Sequence, residues 1–145
     1  MKKLIQVSAG IIAVALSQTS FGATSNWTQT RLAPSVYGPS SENSNFFSTP
    51  LDIPLGATIT SVSWNIGLYK NGATTQLYKV CYAARYSTVY DKCTDSVPIL
   101  ANATEFFYGL DAKGKFKITG ILFGGTYPAY PSHSNSITAH YRSPR

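Results

Sequence analysis

Few side chains in this sequence have the types and spacing that catalysis requires. The 145-residue chain contains two histidines and six carboxylates. His133 lies in a Pro/Ser-rich segment where no neighbour in sequence would orient it as a base, and His140 lies on the polar side of the last predicted strand. No serine stands in a Gly-x-Ser-x-Gly motif, and Asp91, Asp95 and Asp111 lack the spacing of a calcium loop. An enzyme needs a convergent set of such groups, so we predict that the chain is not an enzyme and uses no metal or cofactor.

The N terminus predicts export from the cytoplasm. Two lysines after Met1 precede the apolar run Leu4–Leu16, and small residues flank Phe21 before Ala23. These are the three parts of a secretory signal peptide. The apolar run is shorter than the ~20 residues that span a bilayer as a helix. We predict a signal peptide over residues 1–22 and a periplasmic product, with secretion from the cell as the alternative.

The charge of the chain argues against nucleic acid as a partner. The formal charge is +6, and it falls to +4 without Lys2 and Lys3. Only 12 % of the residues are charged, whereas 43 % are apolar, which favours a packed core over a disordered tail. No long basic stripe remains for nucleic acid, and no later segment is long and apolar enough to cross a membrane.

The two cysteines, Cys81 and Cys93, are predicted to form one disulfide. The predicted compartment is oxidising, and no other residues supply metal-ligand spacing around them. A closed ring of about a dozen residues restricts the unfolded chain by an amount worth on the order of 3 kcal/mol. A redox-active pair would require closer spacing beside a helix.

The hydrophobic pattern has the period of two that is typical of strands. It is clearest within Ile59 to Tyr69, where apolar Val62, Trp64, Ile66 and Leu68 alternate with small or polar residues. Asn71-Gly72 then favours a tight turn. We therefore expect Gln76–Ala83 to return beside that strand as a hairpin. Further strands are predicted over Trp27–Leu32, Asn45–Ser48, Thr104–Leu110, Phe116–Phe123 and the residues around Ile137–Arg142.

Six to eight short strands without a helical pattern define the predicted fold class. We predict an all-β protein, a small antiparallel β-sandwich or partly open barrel with one disulfide. We expect residues 23–145 to form a single domain, with turns at Asp111–Gly114 and at Gly124-Gly125.

Two surface features are candidates for binding a partner. Lys113, Lys115 and Lys117 alternate and so share one face, which makes a local positive patch. The simpler interpretation, which we prefer, is that they protect an edge strand from aggregation. Tyr127 and Tyr130 lie in a late loop, where they could stack on sugars or contact a protein. Other tyrosines recur every four residues, and half of them are expected in the core: Tyr78, Tyr82, Tyr86 and Tyr90.

Several segments, taken in order, resemble the FlhE family of flagellar proteins. They are the signal peptide with Trp27 soon after it, the strand from Ile59 to Trp64, two cysteines around a hairpin, a Phe-rich strand, and the closing segment from Asn135 to Arg142. Members of that family similarly end in a strand of alternating Ile/Val residues that closes on Tyr-Arg. The resemblance covers most of the chain after residue 22.

This resemblance implies a periplasmic, non-enzymatic accessory of the flagellum. Such a protein would bind the export apparatus or the rod, limit proton leakage through the export channel and support swarming. The resemblance supplies no catalytic residue. It implies that framework positions are Trp27, Trp64, Cys81, Cys93 and Tyr141, and that the partner contacts Lys113–Lys117 or the loop from Tyr127 to Asn135.

Two other classes of function stay open at this point. One is a secreted glycan- or receptor-binding module, resembling a toxin or adhesin subunit, that uses the tyrosines. The other is a small periplasmic inhibitor of a hydrolase, a role that small disulfide-linked β-domains also fill.

Overall fold

Eight strands make up the regular structure of the chain. A computed structural model describes residues 22–98 and 101–144, so the predicted signal peptide lies, apart from Gly22, outside the described residues. Along the chain the strands are β1 (Thr24–Arg31), β2 (Glu42–Phe47), β3 (Thr58–Asn65), β4 (Thr75–Ala83), β5 (Lys92–Cys93), β6 (Ala101–Thr104), β7 (Lys115–Phe123) and β8 (Asn135–Arg142). Among these residues there is no helix of the length and hydropathy needed to cross a membrane.

The strands form two antiparallel sheets of four strands each. The first sheet has the order β1-β8-β3-β6 and the second has the order β2-β7-β4-β5. Neither sheet closes on itself or on the other, so of the two predicted arrangements the sandwich is correct and the barrel is not.

Alternation along the strands builds the core between the two sheets. The first sheet contributes Trp64 from β3 and Ile137 from β8, and the second contributes Phe116 and Ile118 from β7, all of them buried. Successive side chains of a strand point to opposite faces, so the residues between these positions lie on the outer faces. Phe116 is the centre of an aromatic cluster and contacts three rings, those of Trp27, Tyr82 and Phe107.

The predicted hairpin between β3 and β4 is wrong, because these strands lie in different sheets. After Asn65 the chain crosses from the first sheet to the second. Gly67 packs so tightly there that an added Cβ would lie 2.1 Å from the carbonyl oxygen of His133. The Gly67 N–H also donates to Asn135 Oδ1 at 2.8 Å. Gly72 has the positive φ, 76°, expected of an Asn-Gly turn. This turn lies in the segment that crosses from β3 to β4 and does not close a hairpin.

The predicted strand Thr104–Leu110 is also wrong beyond its first residue. β6 ends at Thr104, and the next residues form turns in which the Tyr108 N–H donates to the Glu105 carbonyl and the Leu110 N–H to the Phe107 carbonyl. The turns insert Phe107 into the aromatic cluster, where it is fully buried. Packing of this one ring outweighs the β propensity of the run.

The predicted disulfide between Cys81 and Cys93 is confirmed. The two cysteines are directly opposite each other on β4 and β5, with their Cα atoms 4.0 Å apart. Since β5 has only two residues, the covalent bond does much to hold this edge strand against β4.

Candidate protein-binding surface

The predicted lysine patch lies on an inner strand. β7 is hydrogen-bonded to β2 on one side and to β4 on the other, so Lys115 and Lys117 do not protect a sheet edge, and that interpretation is wrong. Their neighbours Phe116 and Ile118 are buried, which directs both lysines to the outer face of the second sheet. Lys113 precedes β7, and its ammonium donates to the carbonyl oxygens of Leu51 and Ile53.

One row across the second sheet joins a lysine, an aromatic ring and the disulfide. Phe46 of β2 and Cys81 of β4 are the two register partners of Lys117, and Cys93 is opposite Cys81. Directly opposed residues point to the same face of a sheet, so all four share the outer face.

Tyr90 covers this row from the segment that links β4 to β5. The Lys117 ammonium lies 5.2 Å from the centre of the Tyr90 ring, a cation–π geometry. The Phe46 ring meets Tyr90 edge-on with 5.7 Å between centres. Burial against this surface raises the pKa of the Tyr90 hydroxyl.

The same segment forms one wall of a neighbouring cleft of about 290 Å³. The Arg85 guanidinium lies 4.8 Å from the ring centre of Tyr86, which is 85 % exposed. Lys113 and Lys115 line the cleft, together with residues 48–51. We name as the basic–aromatic face the six residues Phe46, Arg85, Tyr86, Tyr90, Lys115 and Lys117.

The cations of the basic–aromatic face have no acidic partner among the described residues. The ion pair of Lys79 with Glu42, at 3.8 Å, includes none of them. Lys115, Lys117 and Arg85 are therefore available to carboxylates of another molecule, and the exposed rings beside them supply apolar contact. Aromatic residues and arginine are enriched in protein interfaces, so this face fits an acidic protein surface.

The structure does not bring the two halves of the predicted binding surface together. Lys115 begins β7, whereas Tyr127 and Tyr130 follow its other end. The strand separates its ends by about 26 Å at ~3.3 Å per residue. Tyr127 is half-buried beside a small second core cluster, whereas Tyr130 is 64 % exposed.

The three predicted framework aromatics all lie between the sheets. Trp27, Trp64 and Tyr141 belong to β1, β3 and β8 of the first sheet, and each is buried in the main core cluster. They are thus placed to support the fold rather than to contact a partner.

Sequence reasoning missed Phe46 and Arg85 as members of the surface. Of the four tyrosines spaced by four residues, Tyr78 and Tyr82 are buried, whereas Tyr86 is exposed and Tyr90 covers the sheet. The exposure of Phe46 follows from its alternation with the buried Phe47, and this can be inferred only when the bounds of β2 are known.

The two histidines lie apart. His133 Nδ1 is 3.0 Å from Ser132 Oγ, and Nε2 is 3.2 Å from Asn65 Oδ1. His140 lies beside Asn26 and Ser61 on the outer face of the first sheet. Residues 22–98 and 101–144 contain no group of three or more His, Cys, Asp or Glu side chains that could hold a metal ion.

Buried tyrosines predict a loss of stability in alkali. Burial raises the pKa of Tyr69 and Tyr82 to about 12, and carboxylates of Asp111 and Asp91 add to the effect at Tyr82. Burial, with a further contribution from Tyr69, raises the pKa of Tyr78 as well. The Tyr69 hydroxyl donates to the Pro34 carbonyl, and the Tyr82 hydroxyl donates to the Asp111 carbonyl. The Tyr78 hydroxyl donates to Gln76 Oε1.

In the unfolded chain these hydroxyls lose their protons near pH ~10. The folded state then binds more protons, so the contribution of these tyrosines to the free energy of unfolding is constant below this pH, and the free energy should fall as the pH rises from about 10 to 12. Urea unfolding at a series of pH values measures this, and Tyr78→Phe should make the fall shallower. A free energy that does not change over this range would contradict the prediction.

The fold and its disulfide define the chain as an antiparallel two-sheet β-sandwich protein. Its sequence matches no protein-family model and no curated protein. Its structure is similar to one described as the crystal structure of FLHE, with a TM-score of 0.64 and 17 % identity over 82 % of this chain and 97 % of that chain. The FlhE resemblance drawn from the sequence is thus confirmed at the level of the fold.

Proposed function

We propose that this chain is a periplasmic, non-enzymatic accessory protein of the flagellum that binds a component of the export apparatus or rod. In this role it limits proton leakage through the export channel and supports swarming. The observation that carries the proposal is the likeness of its fold to FLHE, which extends over 97 % of that chain.

Two features of the structure support this proposal. The disulfide of Cys81 and Cys93 is the kind of bond that forms in oxidising compartments such as the periplasm. The basic–aromatic face combines unpaired cations with exposed rings and so has the chemistry of a protein-binding surface.

A deletion strain of the source organism tests the biological role. We expect reduced swarming and a lower cytoplasmic pH in acidic medium, both restored by a plasmid copy of the gene. Unchanged motility together with unchanged cytoplasmic pH would refute the proposal.

Charge reversal at Lys117 tests which surface is used. Lys117→Glu places a carboxylate beside the Tyr90 ring and should repel an acidic partner, so the plasmid copy should restore swarming only in part. Lys70→Glu makes the same change of charge at an exposed position outside this face and should restore swarming fully. Circular dichroism of both variants checks that they are folded, and equal rescue by the two variants would exclude the basic–aromatic face.

A glycan array separates this proposal from a sugar-binding role. Only Tyr130 of the late-loop tyrosines is exposed enough to stack on a sugar ring. Binding to an array that is lost in Tyr130→Ala but kept in Lys117→Glu would favour the glycan-binding module.

A further inference from the structure

One side of the sandwich presents two free strand edges next to each other. β1 ends the first sheet and β2 ends the second, and these two strands are neighbours across the sheets. They have eight and six residues, whereas the edge strands on the other side, β6 and β5, have four and two. We call the space between β1 and β2 the β1/β2 opening.

The β1 edge lacks the devices that usually block pairing with another chain. Its residues Thr24–Arg31 include no lysine, proline or glycine, and its pairing with β8 runs without a bulge. On its other side no strand of the described residues pairs with it. Within residues 22–98 and 101–144 its outer backbone N–H and C=O groups thus have no partner strand, and such groups can accept an additional strand.

Three buried polar atoms on the inner faces of β1 and β2 have no hydrogen-bond partner among the described protein atoms. These atoms are Trp27 Nε1, Gln29 Oε1 and Asn43 Nδ2. Trp27 is only 5 % exposed. Gln29 is two residues from Trp27, and Asn43 is four residues from the buried Phe47, so alternation directs all three side chains inward. The inner faces of β1 and β2 are thus partly polar on this side of the sandwich.

A neighbouring amide shows how such groups are paired within the chain. Asn45 Oδ1 accepts from Asn135 Nδ2 at 2.6 Å, and Asn45 Nδ2 donates to the Leu32 carbonyl at 2.8 Å. This link joins β2 to β8 and to the end of β1. Gln29 Oε1 and Asn43 Nδ2 have no such link among the described residues.

The end of the opening has both apolar and cationic character. A shallow groove of about 570 Å³ is lined by residues 30–32 and 44–46. Leu32 is 85 % exposed. Arg31 is exposed, and no carboxylate of the described residues forms an ion pair with it. An apolar side chain next to a carboxylate would complement this pair.

We propose that the β1/β2 opening binds an extended segment of a partner protein, which adds to the first sheet as a strand beside β1. An extended chain carries alternating donors and acceptors that match the free edge of β1. A carboxylate of the segment pairs with Arg31, and an apolar side chain packs on Leu32. A second copy of this chain fits less well, because its formal charge is positive, +6 for the full sequence and +4 without Lys2 and Lys3.

A displayed library of random peptides about twelve residues long, somewhat longer than β1, identifies ligands of the oxidised protein. The enriched peptides should carry an acidic residue near an apolar one. In fluorescence anisotropy, Arg31→Glu and Leu32→Ser should each weaken binding of such a peptide at least about tenfold.

The matched controls are Lys70→Glu, which makes the same change of charge as Arg31→Glu, and Leu55→Ser, which makes the same substitution as Leu32→Ser, both at exposed positions outside the groove. They should bind within about twofold of the unchanged protein. Lys115→Glu changes the basic–aromatic face on the side of the neighbouring cleft, away from the groove, and should also bind within about twofold, so the result is independent of the function proposed for that face.

Two spectroscopic measurements locate the bound peptide. Hydrogen exchange should slow in the backbone of Thr24–Arg31, and the indole N–H resonance of Trp27 should shift while that of Trp64 does not. Failure to enrich any peptide, equal binding by Arg31→Glu and Leu32→Ser, or unchanged exchange in β1 would overturn the proposal. Protection of β1 that appears with rising protein concentration and without peptide would assign the opening to a second copy and would also overturn it.

Discussion

Replacing Phe116 with alanine is expected to lower the free energy of unfolding by about 3–5 kcal/mol, the largest effect of any single substitution considered for this chain. Phe116 is fully buried, and its ring centre lies 5.4 to 6.0 Å from those of Phe107, Tyr82 and Trp27. Removing the ring loses its transfer free energy and leaves a cavity between two sheets that hydrogen bonds hold in place. Urea unfolding followed by tryptophan fluorescence measures the change.

Phe123→Ala is the matched control, since it removes the same ring from the other end of β7. Phe123 is 37 % exposed and points away from the aromatic cluster, so its loss should cost less than about 1.5 kcal/mol. Similar costs at the two positions would contradict a core centred on Phe116.

Removing the disulfide with Cys81→Ala and Cys93→Ala is expected to lower the free energy of unfolding by about 2–4 kcal/mol. The cysteines are 12 residues apart, so the bond closes a short ring and restricts the unfolded chain. In the folded protein it also links the two-residue strand β5 to β4, beside the hydrogen bonds that join Thr94 and Val97 to Val80 and Tyr78 of β4. Changing both cysteines avoids a free thiol at Cys81, which is buried.

A reducing agent provides the control for this prediction. It should destabilise the unchanged protein by a similar amount and leave the double variant unaffected. Hydrogen exchange provides a second, local measurement. In the double variant it should rise in residues 84–93, because Tyr90 contacts Lys117 and Phe46 only while this segment is held on the sheet. A double variant as stable as the parent would show that the bond does not stabilise the fold.

The disulfide also connects stability to the proposed binding surface. The segment closed by Cys81 and Cys93 carries Arg85, Tyr86 and Tyr90, half of the basic–aromatic face. Reduction would therefore release these side chains while the core around Phe116 stays folded. The basic–aromatic face is thus expected to be ordered only in an oxidising compartment, as the proposed periplasmic function requires.

The inner strands were the part of the fold that sequence predicted best. β3, β7 and β8 alternate buried and outward side chains over most of their lengths, so their hydrophobic period was clear. The run Thr104–Leu110 shows where this reasoning fails, because its aromatic residues have β propensity but form turns around Phe107. The position of that ring depends on Phe116, which is distant in sequence.

The candidate surface was predictable only in part. The three alternating lysines were recognisable, but their interpretation depended on whether β7 is an edge strand, and it is an inner strand. The partners of Lys117, which are Phe46 and Tyr90, come from 71 and 27 residues earlier in the chain. No pattern within a short window could connect them.

The sequence by itself determined the strand class, the disulfide and the resemblance to the FlhE family, because each depends on local alternation, on residue counts or on short motifs. Only the tertiary structure decided which strands are neighbours. It placed β3 and β4 in different sheets, and it placed Lys115 and Lys117 on an inner strand. It also brought the edge strands β1 and β2 next to each other. The physical reason is that the period-two pattern tells which face of a strand is buried, whereas its neighbours are selected by packing between residues far apart in the chain.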